Sequence, residues 1–160
     1  MKSTTKTEVN MPKIKSKTST VISQVLTCIL IAAMVLATCT MPFIVNWYIR
    51  VSGREGINAV FVIIVMYVAL IPAYAAVISL WKLLAAVKRE DIFTPASVSQ
   101  LRLISYCAFA EAVVFAILST QFLFSLAISF AGVFIGMVIR VVKNVIQTAV
   151  EVKEENDYTI

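Results

Sequence analysis

Glu111 is the one charged side chain between Arg102 and Arg140 in a chain of 160 residues. A carboxyl set in so long an apolar stretch could carry a proton, hold a ligand or tie one helix to another. It has little company. The chain contains no histidine, which removes the commonest general base, proton shuttle and metal ligand together. Cys28, Cys39 and Cys107 stand inside apolar blocks at spacings that match no zinc or redox motif, so they are expected to be packing or lipid-facing residues. Hydrolysis within a membrane needs a nucleophile with a base, or a metal with His and carboxylate ligands. Gly53, Gly56, Gly132 and Gly136 are too scattered to cradle a phosphate. No catalytic residue, cofactor site or metal site is expected, and the chain is not expected to be an enzyme.

The elements that must position Glu111 follow from where charge is missing. The segments Thr18 to Ile49 and Gly56 to Trp81 carry none at all, and 60% of the chain is hydrophobic. A soluble domain scatters charge over a wet surface, whereas hydrocarbon excludes it. The expected fold is therefore an all-α membrane protein. A helix rises about 1.5 Å per residue, so a bilayer core of roughly 30 Å takes about 20 apolar residues. Residues 21–45 and 57–81 each make one span. The third block, Leu103 to Ile139, is too long for one span and is divided into 101–119 and 122–146 by a turn at Ser119, Thr120 and Gln121. The expected layout is a basic disordered tail over 1–20, a four-helix domain of two antiparallel hairpins over 21–152, and an acidic tail over 153–160.

Orientation follows from the basic residues. With both termini in the cytoplasm, the inner side receives Lys2, Lys6, Lys13, Lys15, Lys17, Lys82, Lys88, Arg89, Arg102, Arg140, Lys143 and Lys153, and the outer side only Arg50 and Arg54. Trp47, Tyr48 and Trp81 fall at span boundaries, where amphipathic rings are favoured. The net charge of +5 does not indicate nucleic acid, because the tail lysines alternate with Ser and Thr rather than with stacking aromatics. Beside an anionic inner leaflet each such lysine contributes about 1 kcal/mol. The expected location is a bacterial cell membrane, crossed several times. Leu36-Ala37-Thr38-Cys39 loosely resembles a lipoprotein cleavage site, but the apolar run continues through Val45, so no cleavage is expected.

The segments assigned to the cytoplasm carry the remaining detail. Thr94 and Pro95 suit the N-cap and first position of a helix that starts several residues before the membrane. At the other end, Val138, Val142, Val145, Ala149 and Val152 make one narrow helical stripe opposite Arg140, Lys143, Asn144, Gln147 and Glu151. That stripe either packs on the start of the third helix, lies along the leaflet, or docks a helix of another protein. Glu154, Glu155 and Asp157 form an acidic cluster followed by Tyr158 and Ile160. It reads as a solvated tail or as a docking segment for a basic partner, since an anionic leaflet repels it.

Two stretches, Ile92-Phe93-Thr94-Pro95-Ala96-Ser97-Val98-Ser99-Gln100-Leu101-Arg102-Leu103-Ile104 and Val152-Lys153-Glu154-Glu155-Asn156-Asp157-Tyr158-Thr159-Ile160, resemble the signatures of the DUF2975 family of small bacterial four-helix membrane proteins. Tyr158 stands where that family usually has leucine. The resemblance implies a four-helix membrane fold and no known activity. Such proteins are often encoded beside a small helix-turn-helix regulator, which implies a candidate partner.

Inside the membrane, Glu111 lies about ten residues into its apolar block, roughly 15 Å deep. As glue it would be neutral and hydrogen-bonded, with Tyr67, Tyr74, Ser79 and Gln121 as candidate partners. The other reading is a proton-coupled or ligand-binding group. Pro72 is expected to kink the second span and free the Val68 carbonyl. Gly132 and Gly136 form a Gly-x-x-x-Gly that suits close approach of a neighbour in the bundle or of a second copy in a homodimer. Together these features fit a regulatory or sensory membrane component that docks a cytoplasmic partner. The alternative is a small oligomeric transporter, channel or toxin-immunity protein built on Glu111 and the kinked second helix.

Overall fold

The structure, a computed structural model, describes residues 13–53, 56–89 and 93–157. Over these residues the chain forms four helices and no strand: α1 Lys13–Ser52, α2 Ala59–Lys88, α3 Pro95–Leu118 and α4 Phe124–Asp157. All four are long and apolar enough to cross a bilayer. Most of their large hydrophobic side chains point outward, among them Phe43, Ile71, Phe130 and Phe134. That inversion of the usual soluble pattern is expected where hydrocarbon is the solvent.

The helix ends are set by local chemistry. Gly53 (φ 57°) and Gly56 (φ 112°) hold left-handed backbone between α1 and α2, which a side chain would resist. Asn58 then caps α2 by accepting from the Phe61 N–H at 3.1 Å. Thr94 caps α3 through the Ser97 N–H, and Pro95 takes the first helical position. Ser119 and Thr120 donate to the carbonyls of Ala116 and Ile117 at 2.6 and 2.9 Å, so hydroxyls stand in for a glycine cap where α3 stops.

Two boundaries differ from the sequence expectation. Residues 13–20, expected in a disordered tail, are helical, because no breaker separates Lys13 from the apolar run that follows. Residues 153–157, expected in a loose acidic tail, complete α4. At 34 residues α4 is about 50 Å long, some 20 Å more than the bilayer core requires. The span expected over 122–146 therefore continues as a helix beyond the membrane.

The helices stand in chain order, each against the next. Among the described residues α1 approaches α2, α2 also meets α3, and α3 also meets α4, while the backbones of α1 and α4 do not come together. A buried apolar cluster of Val45, Val62, Val65 and Leu118 ties the first three helices near the ends of α1 and α3. Tyr48 of α1 reaches the α3–α4 turn by an edge-on contact with Phe122, ring centres 5.6 Å apart.

Candidate functional site

Three helix contacts define the interior. On α1, Pro42 has no N–H for the carbonyl four residues earlier, that of Thr38. The Tyr67 hydroxyl of α2 supplies the missing donor at 3.2 Å. The Thr38 hydroxyl gives its proton to Met34 O at 2.8 Å, so Tyr74, whose oxygen lies 3.0 Å away, donates to Thr38. Both tyrosines are thus committed to α1. Sequence reasoning missed this cluster, although the four-residue spacing of Thr38 and Pro42 signals it.

Glu111 lies half-buried on the face of α3 toward α2. Its carboxyl faces the backbone N–H of Ala73, the residue that follows Pro72. Pro72 leaves the Val68 carbonyl of α2 without a helical donor, and the Glu111 side chain of the neighbouring helix lies against the backbone of the next residue, Ala73. The sequence candidates were different: Tyr67 and Tyr74 bond Thr38, and Gln121 sits in the turn beyond α3, ten positions along the chain. Cys107, one turn from Glu111, is buried. Among the described residues no three His, Cys, Asp or Glu side chains gather as a metal-binding group.

The α3–α4 contact is built from small residues. A Cβ placed on Gly132 would lie 3.2 Å from the Ala112 Cβ and 3.3 Å from the Ala108 carbonyl oxygen. One placed on Gly136 would meet the Phe109 ring at 3.1 Å. The close approach lets Ser105 donate to Gly136 O at 2.9 Å and Ser129 to Ala112 O at 2.7 Å. These bonds run in opposite directions across the interface, and their spacing gives α3 and α4 an antiparallel register. Gly132 and Gly136 are occupied within the bundle, on the face that α4 turns toward α3.

At the far end of this pair, the start of α3 and the overrun of α4 flank a groove of about 330 Å³ between Pro95, Ser99 and Arg102 on one side and Gln147 and Glu151 on the other. Gln147 donates to Glu151 at 3.0 Å. Val98, Leu101 and Val150 are buried. The expected stripe does not face this groove. Val145 is 65% and Val152 57% exposed, whereas Val150 is 6% exposed. Five residues turn a helix by about 140°, so the side of α4 that covers α3 carries Val150 and the side that carries Val145 is left open. Ala149 lies between, half-buried. The last turn of α4 holds Glu154, Glu155 and Asp157, while Tyr158 and Ile160 lie outside the described residues. Arg140, one helical turn toward the membrane from Asn144, sits 5.6 Å from the Tyr106 ring centre and 5.7 Å from that of Phe109.

A family model described as protein of unknown function (DUF2975) matches residues 48–160, which hold the second to fourth helices and the end of the first. The chain belongs to the DUF2975 family. It is also 27% identical over 147 residues to the uncharacterized membrane protein YoaS of Bacillus subtilis (strain 168), an alignment covering 82% of this chain and 92% of that protein. No solved structure matches. The family, the relative and four apolar helices agree on an integral membrane protein that crosses the bilayer several times. In this DUF2975 chain the matched region contains Glu111, the Gly132–Gly136 contact and the α4 overrun.

Proposed function

We propose that this protein is a regulatory or sensory component of the bacterial cytoplasmic membrane that docks a cytoplasmic protein on the overrun of α4. The observation that carries the reading is the exposure of Val152, past the 122–146 span, continuing the stripe from Val145 at the end of that span, on a helix that outruns the bilayer while its opposite side is covered by α3. Within the lipid, exposed valines are ordinary; past the headgroups, an apolar stripe on an otherwise polar helix is a surface for another helix. The acidic last turn, with Glu154, Glu155 and Asp157, favours a partner with a basic face. A small helix-turn-helix regulator has that character. The distribution of lysine and arginine, read by the positive-inside rule, supports a cytoplasmic position for this surface. The test is transcription from the promoter beside the gene, measured with the chain truncated before Glu154; loss of regulation with normal membrane levels supports docking.

A second reading rests on Glu111, a carboxyl facing the α2 backbone beside Pro72. That arrangement suits a small oligomeric transporter, channel or toxin-immunity protein. Under it the truncation is silent and Glu111→Gln is not.

A further inference from the structure

The α1–α4 edge carries a cleft that the docking surface does not use. Its floor is the buried cluster of Val45, Val62 and Leu118, and its rim is formed by Ile44 and Tyr48 of α1 and Phe124 and Ile128 of α4. It holds about 330 Å³. Because the backbones of α1 and α4 stay apart, the cleft opens sideways between two membrane-spanning helices. Toward the headgroups it is roofed by the contact of Tyr48 with Phe122. The lining is aliphatic and aromatic apart from the Tyr48 and Ser125 hydroxyls.

Three physical constraints select the occupant. Water needs two to four polar partners to stay in a cavity, and these walls do not supply them along their length. The seven helical steps from Met41 to Tyr48 give the cleft a length of about 10 Å, hence a cross-section on the order of 30 Å². A helix of a second copy, at least about 10 Å across, needs on the order of 80 Å². The space is too narrow for a helix and open only to hydrocarbon. We propose that this cleft is a binding site for one acyl chain of a bilayer phospholipid, entering laterally between α1 and α4 and ending beneath the Tyr48–Phe122 roof. The chain completes the helix row by filling the gap that α1 and α4 leave.

The test is photolabelling of the full chain in phosphatidylcholine nanodiscs doped with a phospholipid that carries a diazirine in one acyl chain, with the adducts mapped by mass spectrometry. Met41, Met66 and Phe115, which line the cleft, are expected to take more label than Phe43 and Ile71, although those two are 75% and 70% exposed. Ile128→Trp, which plugs the mouth, is expected to remove the label from Met66 and Phe115 and to leave that at Phe43 and Ile71 unchanged. Labelling in proportion to exposure in the natural chain overturns the proposal whatever the variant does. So does labelling by a free diazirine fatty acid but not by the phospholipid, or an intermolecular cross-link between cysteines at Ile44 and Ile128 of two copies.

Discussion

Tyr67 donates its hydroxyl proton to the carbonyl of Thr38, the group that Pro42 leaves without a helical donor. A defect in one transmembrane helix is thus satisfied by a side chain of the next, which couples α1 to α2 where apolar contacts alone discriminate poorly in lipid. Tyr67→Phe is expected to weaken the bundle by about 1 kcal/mol. In Pro42→Ala the helix regains its own N–H donor to Thr38, so the same Tyr67→Phe change should cost less in that background. A double-mutant cycle of reversible unfolding in lipid measures the difference; additive effects would disconnect the two residues.

Gly132 and Gly136 should respond differently to added bulk. Gly132 faces the Ala108 carbonyl and the Ala112 Cβ, which cannot swing away, whereas Gly136 faces the edge of the Phe109 ring, which can. Gly132→Leu is expected to cost about 1–3 kcal/mol as overpacking and to separate α3 from α4. Gly136→Ala should cost less. Cysteine cross-linking between Ala112 and Ser129 positions reports the separation directly, and an undisturbed cross-link in Gly132→Leu would contradict the contact.

Opposite sides of the α4 overrun should behave as structure and as surface. Val150→Ala removes buried methyls from the α3 contact and is expected to cost about 2 kcal/mol. Val145→Ser and Val152→Ser change exposed positions and should shift stability by less than about 0.5 kcal/mol. Under the proposed docking they nonetheless abolish regulation of the reporter. Retained regulation with both serines present would remove the stripe from the account.

Glu111→Gln keeps an oxygen that can accept from the Ala73 N–H, so assembly is expected to be retained. Function should be retained too if the side chain only joins α3 to α2. Loss of function with normal membrane levels and normal unfolding would shift the account to the transport reading. Glu111→Leu separates the cases further, because it removes the polar contact of the carboxyl with the Ala73 backbone and should weaken the α2–α3 contact.

The four spans were legible in the sequence because charge exclusion by hydrocarbon is strong and one-dimensional. The Thr94–Pro95 start of α3 was legible for a similar reason, since capping is local. The partner of Glu111 was not. The candidates were hydroxyl and amide side chains, but Tyr67 and Tyr74 were drawn to Thr38 by a proline on another helix, and the group that faces Glu111 is backbone. The α4 overrun shows the same limit. Its apolar stripe was visible as a period, yet which arc of the helix would meet α3 depended on the Gly132–Gly136 contact several turns away, which turns Val150 inward and Val145 outward.

The docking surface is useful only if the overrun of α4 lies in the cytoplasm. Paired fusions placed after Ile160 and within the connection at Gly53, read with a fluorescent protein that matures inside the cell and a phosphatase that is active only outside, measure this directly. Fluorescence without phosphatase activity is expected for the fusion after Ile160, and the reverse for the fusion at Gly53. Phosphatase activity after Ile160 would put Val145, Val152 and the acidic last turn on the wrong side of the membrane and contradict the proposed function.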